Sequence, residues 1–263
     1  MAEVTQDAEV ATLLDASNNN LNASVFRDFD WYSSLDQIAL KQCLFENIKF
    51  RCDEILECHF TDCTFIQCHF DGHQIRDCQF DNCHFYSTEQ ETGSSFKFCD
   101  LTATQFHHCD LSMCNFSRAN LYRAEIQHCQ GQGMDLSHTT VDNIIGSSIV
   151  LQGAIINDCN LSYADLTGAR IVDSEFNENR LTHAILNDAS FENSSLQDCE
   201  LHGIEASGVT LAGADLRGSN LHGLNVRDID MTGCLFDLYQ FDIKYQHSIS
   251  WNNLSVTLTI SQL

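Results

Sequence analysis

Glu57 to Phe70 reads ECHFTDCTFIQCHF, with cysteine at 58, 63 and 68 and phenylalanine at 60, 65 and 70. A helix repeats near 3.6 residues and a flat strand at 2, so a strict five-residue beat fits neither. Residues two apart on an extended segment face the same side. Each cysteine therefore shares an interior with the phenylalanine two residues on, and the residues beside them point outward. A large and a small side chain fit a narrow interior together only if the chain turns a corner in every pentad. The product is a coil of short straight faces, each coil stacked on the next at about 4.8 Å.

Outward from this stretch the beat runs through most of the chain. Taking the large apolar residue as the centre of each pentad, centres fall at Leu40, Phe45, Phe50, Ile55, Phe60, Phe65, Phe70, Ile75, Phe80 and Phe85. The next is Phe96, eleven residues on, so the beat slips by one across YSTEQETGSSF. The new register passes Leu101, Phe106, Leu111, Phe116, Leu121 and Ile126, weakens, and resumes from Leu151 and Ile156 to Phe241, with Gly131, Gly146 and Ala206 as poor centres. A single period sustained over this length describes one continuous solenoid, in which each coil buries its apolar ladder against its neighbours.

Thirteen of the fourteen cysteines, all but Cys52, lie at the small inward position, where Ala119, Ala164, Ala189, Ala214 or Ser219 stands in other pentads. They read as small buried hydrophobes. His59, His69 and His84 each follow an inward cysteine and so point outward, whereas zinc needs about four convergent ligands. Stacked cysteines would hold their Cβ atoms about 4.8 Å apart, outside the usual disulfide window of roughly 3.5–4.5 Å. No metal and no cofactor is expected.

The formal charge is −24, from 13 Lys and Arg against 37 Asp and Glu. Such a surface repels nucleic acid and anionic membrane and seeks basic partners. No apolar run approaches the roughly 20 residues of a membrane span. MAEVTQDAEVATLLDAS at the start has neither a basic leader nor an apolar h-region, so a cytoplasmic chain with reduced thiols is expected. The nucleophile-elbow, zinc-protease and P-loop patterns are all missing from the sequence. His107-His108-Cys109-Asp110 falls across one corner with only Cys109 inward, and a filled rod offers no convergent pocket. The reading is a binding protein rather than an enzyme.

NLSYADLTGARI (Asn160–Ile171), SRANL (Ser117–Leu121) and TLAGADLRGSNLHGLN (Thr210–Asn225) place inward Ala, then Asp or Asn, then a Leu centre on the beat, and in this the chain resembles the pentapeptide repeat proteins. The resemblance implies an all-β fold, a right-handed quadrilateral parallel β-helix, here of about ten coils and roughly 45–50 Å. A narrower resemblance is to the Qnr branch of quinolone-resistance proteins, whose rods carry a shorter loop first and a longer one second. The slip at Tyr86–Ser95 stands in the place of the first loop and DNIIGSSIVLQG (Asp142–Gly153) in that of the second. That resemblance implies a DNA-mimicking rod that binds a type II topoisomerase, DNA gyrase or topoisomerase IV, and protects it from quinolone-like poisons. Candidate contacts are then Tyr86, Ser87, Thr88, Glu89, Gln90 and Glu91 in the first loop, and Asp142, Asn143, Ile144 and Ile145 in the second. The alternative is an acidic interaction scaffold or effector with some other partner.

Residues 1–41 read as an N-terminal extension or cap, 42–241 as the solenoid, and 242–263 as a C-terminal cap or dimerisation segment. Thr5 stands as N-cap for a helix over about 6–15, with Asp7 and Glu9 in its first turn and Asn18 to Asn20 ending it. Ser34-x-x-Gln37 suggests a second helical turn. Leu21, Phe26 and Trp31 keep a five-beat that would make an irregular first coil. In the tail, Val256 and Leu258 alternate with polar residues as an edge strand, and with Tyr245 and Trp251 they are the candidate dimer interface.

Overall fold

Leu21, Leu40, Phe60, Phe80, Phe106, Ile126 and Ile156 stand above one another as parallel strand partners, so successive turns of the chain stack in register. The computed structural model describes residues 3–141, 153–222, 224, 229–237 and 240. Three further columns run beside the first. One rises through Phe26, Phe45, Phe65 and Phe85 to Leu161 and Leu181, the next through Trp31, Phe50, Phe70, Phe96 and Phe116 to Leu186, the last through Leu35, Ile55, Ile75, Leu101 and Leu121 to Phe191. The chain is thus a four-sided parallel β-helix. We number the faces one to four in that order.

The core is the four columns themselves. Phe60, Phe65, Phe70, Phe80 and Phe85 are at most 1% exposed, and so are the small residues two before them. Phenylalanines of one column stack flat, with Phe45, Phe65 and Phe85 at 4.6 and 4.7 Å, while neighbouring columns meet edge-on, as Phe65 and Phe70 do at 5.7 Å. Both are favoured arrangements of ring quadrupoles. Beyond Phe116 the columns turn mainly to leucine and isoleucine, and the same faces continue.

Each corner is built in one of two ways. In the closed corner the carbonyl of the centre residue accepts from the N–H three residues on, as Leu161 does from Ala164 at 3.1 Å and Leu166 from Ala169 at 2.9 Å. The inward residue of the coil above is then commonly alanine: Ala184 over Leu161, Ala189 over Leu166. In the open corner that backbone bond is missing, and a polar side chain from the coil above supplies it. Ser94 accepts from the Cys68 N–H (3.2 Å) and donates to the Phe65 carbonyl (3.0 Å). Asn179 does the same for Cys159 (2.9 Å) and Ile156 (2.6 Å), and Ser194 for Ser174 (3.1 Å) and Ile171 (2.8 Å).

Cysteine fills this role most often. The Sγ–H groups of Cys63, Cys83, Cys109, Cys129 and Cys159 point at the carbonyls of Leu40, Phe60, Phe80, Phe106 and Ile126, at 3.1 to 3.4 Å. Cys99, Cys114 and Cys234 depart from the rule, sitting over corners whose backbone bond is also made, in the case of Cys114 by the Ser94 N–H at the foot of the first insertion. All fourteen thiols are buried and free. The inward cysteines are packing, as their place in the pentad implies, and they also donate. Cys52, at a corner position, is buried as well.

The N-terminal segment begins coiling earlier than residue 42. Leu21, Phe26 and Trp31 pair with Leu40, Phe45 and Phe50, nineteen residues on, because the step from Trp31 to Leu35 is four residues instead of five. Leu35–Asp36 is a strand of this first coil, so Ser34 to Gln37 is not a helical turn. Glu3–Val4 adds a part-rung on Val25–Phe26. Helix α1 (Asp7–Ser17) lies beyond it, with Val10 and Leu14 buried, and Asn18 ends it in the left-handed region. Thr5 is not its N-cap: Gln6 holds that place without a side-chain bond. Asp7 instead accepts from the N–H groups of Tyr32 and Ser33 at 2.8 and 2.9 Å, fastening the helix over the open end of the rod, where Trp31 is fully buried.

Candidate functional site

Besides the nineteen-residue first coil, two places among the described residues depart from the twenty-residue coil, and register measures both. Gln79 pairs with Gln105, twenty-six residues on, so six residues are inserted after Phe85. Glu125 pairs with Ile155, thirty residues on, so ten are inserted between Val141 and Ile156. What reads in sequence as a one-residue slip is therefore a six-residue insertion at one corner, since five plus six is eleven. The ten-residue insertion leaves the five-beat in phase and shows only as weak centres. The first leaves between faces two and three, the second between faces four and one, two coils and two corners later.

The first insertion is a hairpin. Tyr86–Ser87 pairs antiparallel with Thr92–Gly93, and Thr88, Glu89, Gln90 and Glu91 form its exposed tip. Ser87 bonds Gln90 across the turn, and Glu91 takes a left-handed φ of 52°. The hairpin closes where Ser94 donates its N–H to Phe85 at 2.9 Å and turns its hydroxyl inward. Its foot requires glycine. A Cβ on Gly93 would lie 2.4 to 2.6 Å from backbone atoms of Ser112, Met113 and Cys114 in the next coil. Gly153, at the end of the second insertion, is pinned alike, 2.6 and 2.8 Å from the carbonyls of Val172 and Asp173. Sequence reasoning passed over both glycines, although each directly precedes an inward small residue, Ser94 or Ala154, and so marks the place where the beat recovers.

Asp142, Asn143, Ile144 and Ile145 lie outside the described residues, and so do Tyr245, Trp251, Val256 and Leu258. Of His107, His108 and Cys109, only Cys109 is buried. His107 lies between Asp81 (3.6 Å) and Glu125 (3.5 Å), and His108 stacks on His128 at 5.0 Å. Among the described residues no group of three or more His, Cys, Asp or Glu side chains is placed to hold a metal ion, and no helix is long and apolar enough to cross a membrane.

Charge is not evenly spread. Face one, beside the second insertion, presents Asp158, Glu175, Glu178 and Asp198 exposed on consecutive coils, followed by Asp215. The basic side chain there, Arg217, is held by Asp215 at 2.6 Å. Burial pushes the Asp215 carboxyl up, but hydrogen bonds from Arg217 and Gln197 outweigh it and keep the group ionised below the usual carboxylate range. This edge repeats carboxylates at the coil spacing of about 4.8 Å.

Comparison with known proteins gives a consistent result. The family described as Pentapeptide repeats matches residues 99–130, 147–178, 174–211 and 199–237, in eight copies. Pentapeptide repeat protein QnrB4 of Escherichia coli is 32% identical over 95 residues, which are 36% of this chain and 44% of that protein. Quinolone resistance pentapeptide repeat protein QnrB96 of Scandinavium goeteborgense is 33% identical over 95 residues. The aligned stretch thus spans less than half of these curated relatives. In structure, full-length QnrB1, a plasmid-mediated fluoroquinolone resistance protein, superposes with a TM-score of 0.59 at 30% identity, covering 79% of this chain and 95% of that one.

Proposed function

Because the chain belongs to the pentapeptide repeat family and is Qnr-like in sequence and fold, we propose that it protects a bacterial type II topoisomerase, gyrase or topoisomerase IV, from quinolone-like poisons. On this reading it is a non-enzymatic binding protein of the cytoplasm. The acidic edge of face one imitates the phosphate line of DNA and draws the rod to the enzyme's basic DNA-binding surface. The two insertions make the specific contacts, with Glu89, Gln90 and Glu91 at the tip of the first.

The observation that carries the reading is the pair of insertions, six residues then ten, on a rod that beyond its first coil is otherwise regular among the described residues. A scaffold selected only for solubility and shape has no need to interrupt its coil twice, nor to anchor each interruption on a glycine seated against backbone. The order, shorter before longer, is the one the Qnr resemblance implies.

The test is gyrase supercoiling in a fluoroquinolone, with wild type and with a variant lacking residues 87–92. That deletion restores a five-residue step from Phe85 to Phe96, leaves Gly93 at the corner and Ser94 inward, and so preserves the rod. Rescue by wild type and its loss on deletion are the expected results. No rescue by folded wild type over a wide concentration range would overturn the proposal.

A further inference from the structure

Four large apolar side chains stand out of the described surface: Tyr32, Phe98, Met113 and Tyr163. Two of them flank one stretch of face three beside the hairpin. Phe98 is 54% exposed at the far edge, and Met113 is 51% exposed at the near edge, with its backbone against Gly93 of the hairpin foot. Both occupy corner positions with left-handed backbone, φ 60° and 56°. Elsewhere these positions hold many residues that suit that conformation, such as Asn47, Asp62, Asn82, Gly168 and Gly208. Polar or charged long side chains such as Gln67, Arg123 and His138 stand at other such corners, whereas Phe98 and Met113 put large apolar groups into solvent there.

The charge at this spot is opposite to that of the rod. Lys97 Nζ lies 5.2 Å and Arg118 Cζ 5.8 Å from the centre of the Phe98 ring. Neither side chain has a carboxylate within ion-pair distance among the described residues, as is also true of Lys41, Lys49 and Arg123, but only these two meet at an exposed aromatic ring. In a chain with 37 acidic residues, two cations gathered around one exposed ring form a local surface of distinct chemistry, bordered below by Asp71, whose carboxylate accepts from the Lys97 backbone N–H at 3.2 Å.

We propose that this part of face three is a docking surface for an acidic peptide segment bearing an apolar side chain. The apolar group lies against Phe98 and Met113, and its flanking carboxylates meet Lys97 and Arg118. Charge complementarity over this short span selects the occupant: a basic segment would be repelled by Lys97 and Arg118, while a long polyanion such as nucleic acid would reach past them onto the acidic surface. The proposal rests on the topoisomerase reading only for the source of the segment, which would then be an acidic stretch of that enzyme beside the hairpin's contact.

The test uses the full chain and a short fluorescein-labelled peptide with one phenylalanine flanked by a glutamate on each side, followed by fluorescence anisotropy at physiological salt, where repulsion from the distant acidic surface is screened. A lysine counterpart and a single-stranded thymidine oligonucleotide are run beside it. The acidic peptide should bind wild type and weaken at least about tenfold with the double variant K97E/R118E, and again with Phe98→Asn. Asparagine suits the left-handed corner, so Phe98→Asn should leave the melting temperature unchanged or higher, which separates loss of binding from loss of fold. Arg123→Glu, an exposed cation on another corner, should bind as wild type. No binding of the acidic peptide, binding indifferent to these variants, or capture of the oligonucleotide through the same residues would each overturn the proposal. Wild type failing to protect gyrase would remove the topoisomerase reading alone, because the peptide arm judges the surface by itself.

Discussion

Asn179 is a polar amide in the middle of an apolar column, and replacing it distinguishes two accounts of the corner. It is 1% exposed, accepts from the Cys159 N–H at 2.9 Å and donates to the Ile156 carbonyl at 2.6 Å. Asn179→Ala leaves both backbone groups buried without partners. Each costs about 1–3 kcal/mol, and removing the amide from apolar surroundings returns part of that. The expected net loss is about 2–4 kcal/mol. For a chain of this size, at about 2–4 °C per kcal/mol, the melting temperature falls by about 5–15 °C. Asn179→Ser keeps a donor and an acceptor, as Ser94 and Ser194 do at equivalent corners, and should stay within about 1 kcal/mol of wild type. Thermal and urea melts followed by circular dichroism read both variants. If the inward residue were only filler, alanine would be equal to or better than serine. A melting temperature for Asn179→Ala at or above wild type would refute the bridging role.

Other expectations follow from the same geometry. Phe65→Ala removes a fully buried ring stacked 4.6 Å and 4.7 Å from its neighbours and should cost about 3–5 kcal/mol in urea unfolding; Phe65→Leu should recover most of it, because Leu161 and Leu181 hold the same column. Gly93→Ala drives a Cβ into the next coil's backbone and should cost about 1–3 kcal/mol, read as faster amide exchange confined to Tyr86–Ser95 and its neighbours. Burial pushes the thiols of Cys68, Cys99, Cys199 and Cys234 up to about 12 from 9.0. The folded state then keeps protons that the unfolded state releases, so their stabilisation is intact below about pH 9 and is lost as pH rises from 9 towards 12. Melting temperatures that rise between pH 9 and 11 would contradict this. For the same reason a thiol reagent at pH 8 should label these cysteines at the rate of unfolding.

The beat around Phe60 was enough to say which residues face inward, because inward and outward residues alternate with a period that a packed rod cannot relax; that they form four columns came from the resemblance to pentapeptide repeat proteins. Insertion lengths were only half legible. Six residues shift a five-beat by one and look like a slip, while ten shift it by nothing, so register is blind to the larger event near Val141. The first coil was legible from Leu21, Phe26 and Trp31, but its last side was not: the four-residue step from Trp31 to Leu35 made Ser34 to Gln37 resemble a helix start. Small inward residues were legible as small but not as donors. Cysteine and alanine have similar packing demands, and which one is needed depends on whether the corner a coil earlier closes its own backbone bond. The surface at Phe98 left no mark in the beat, because corner positions accept many residues and only exposure and backbone angle single out this one.

The square cross-section has a consequence for the distance between the two insertions. A coil returns to its starting corner after twenty residues, so adding or removing one coil slides everything beyond it along the axis by one step and leaves it on the same face, but for the small rotation between stacked coils. The second insertion leaves about 12 Å above the hairpin, two and a half coils at about 4.8 Å each, from the diagonally opposite edge. Excising residues 106–125, which make up one coil, would shorten that reach to about 7 Å and keep both edges in place. The separation of the two insertions is therefore quantised, and the molecule acts as a ruler whose marks can be moved one step at a time.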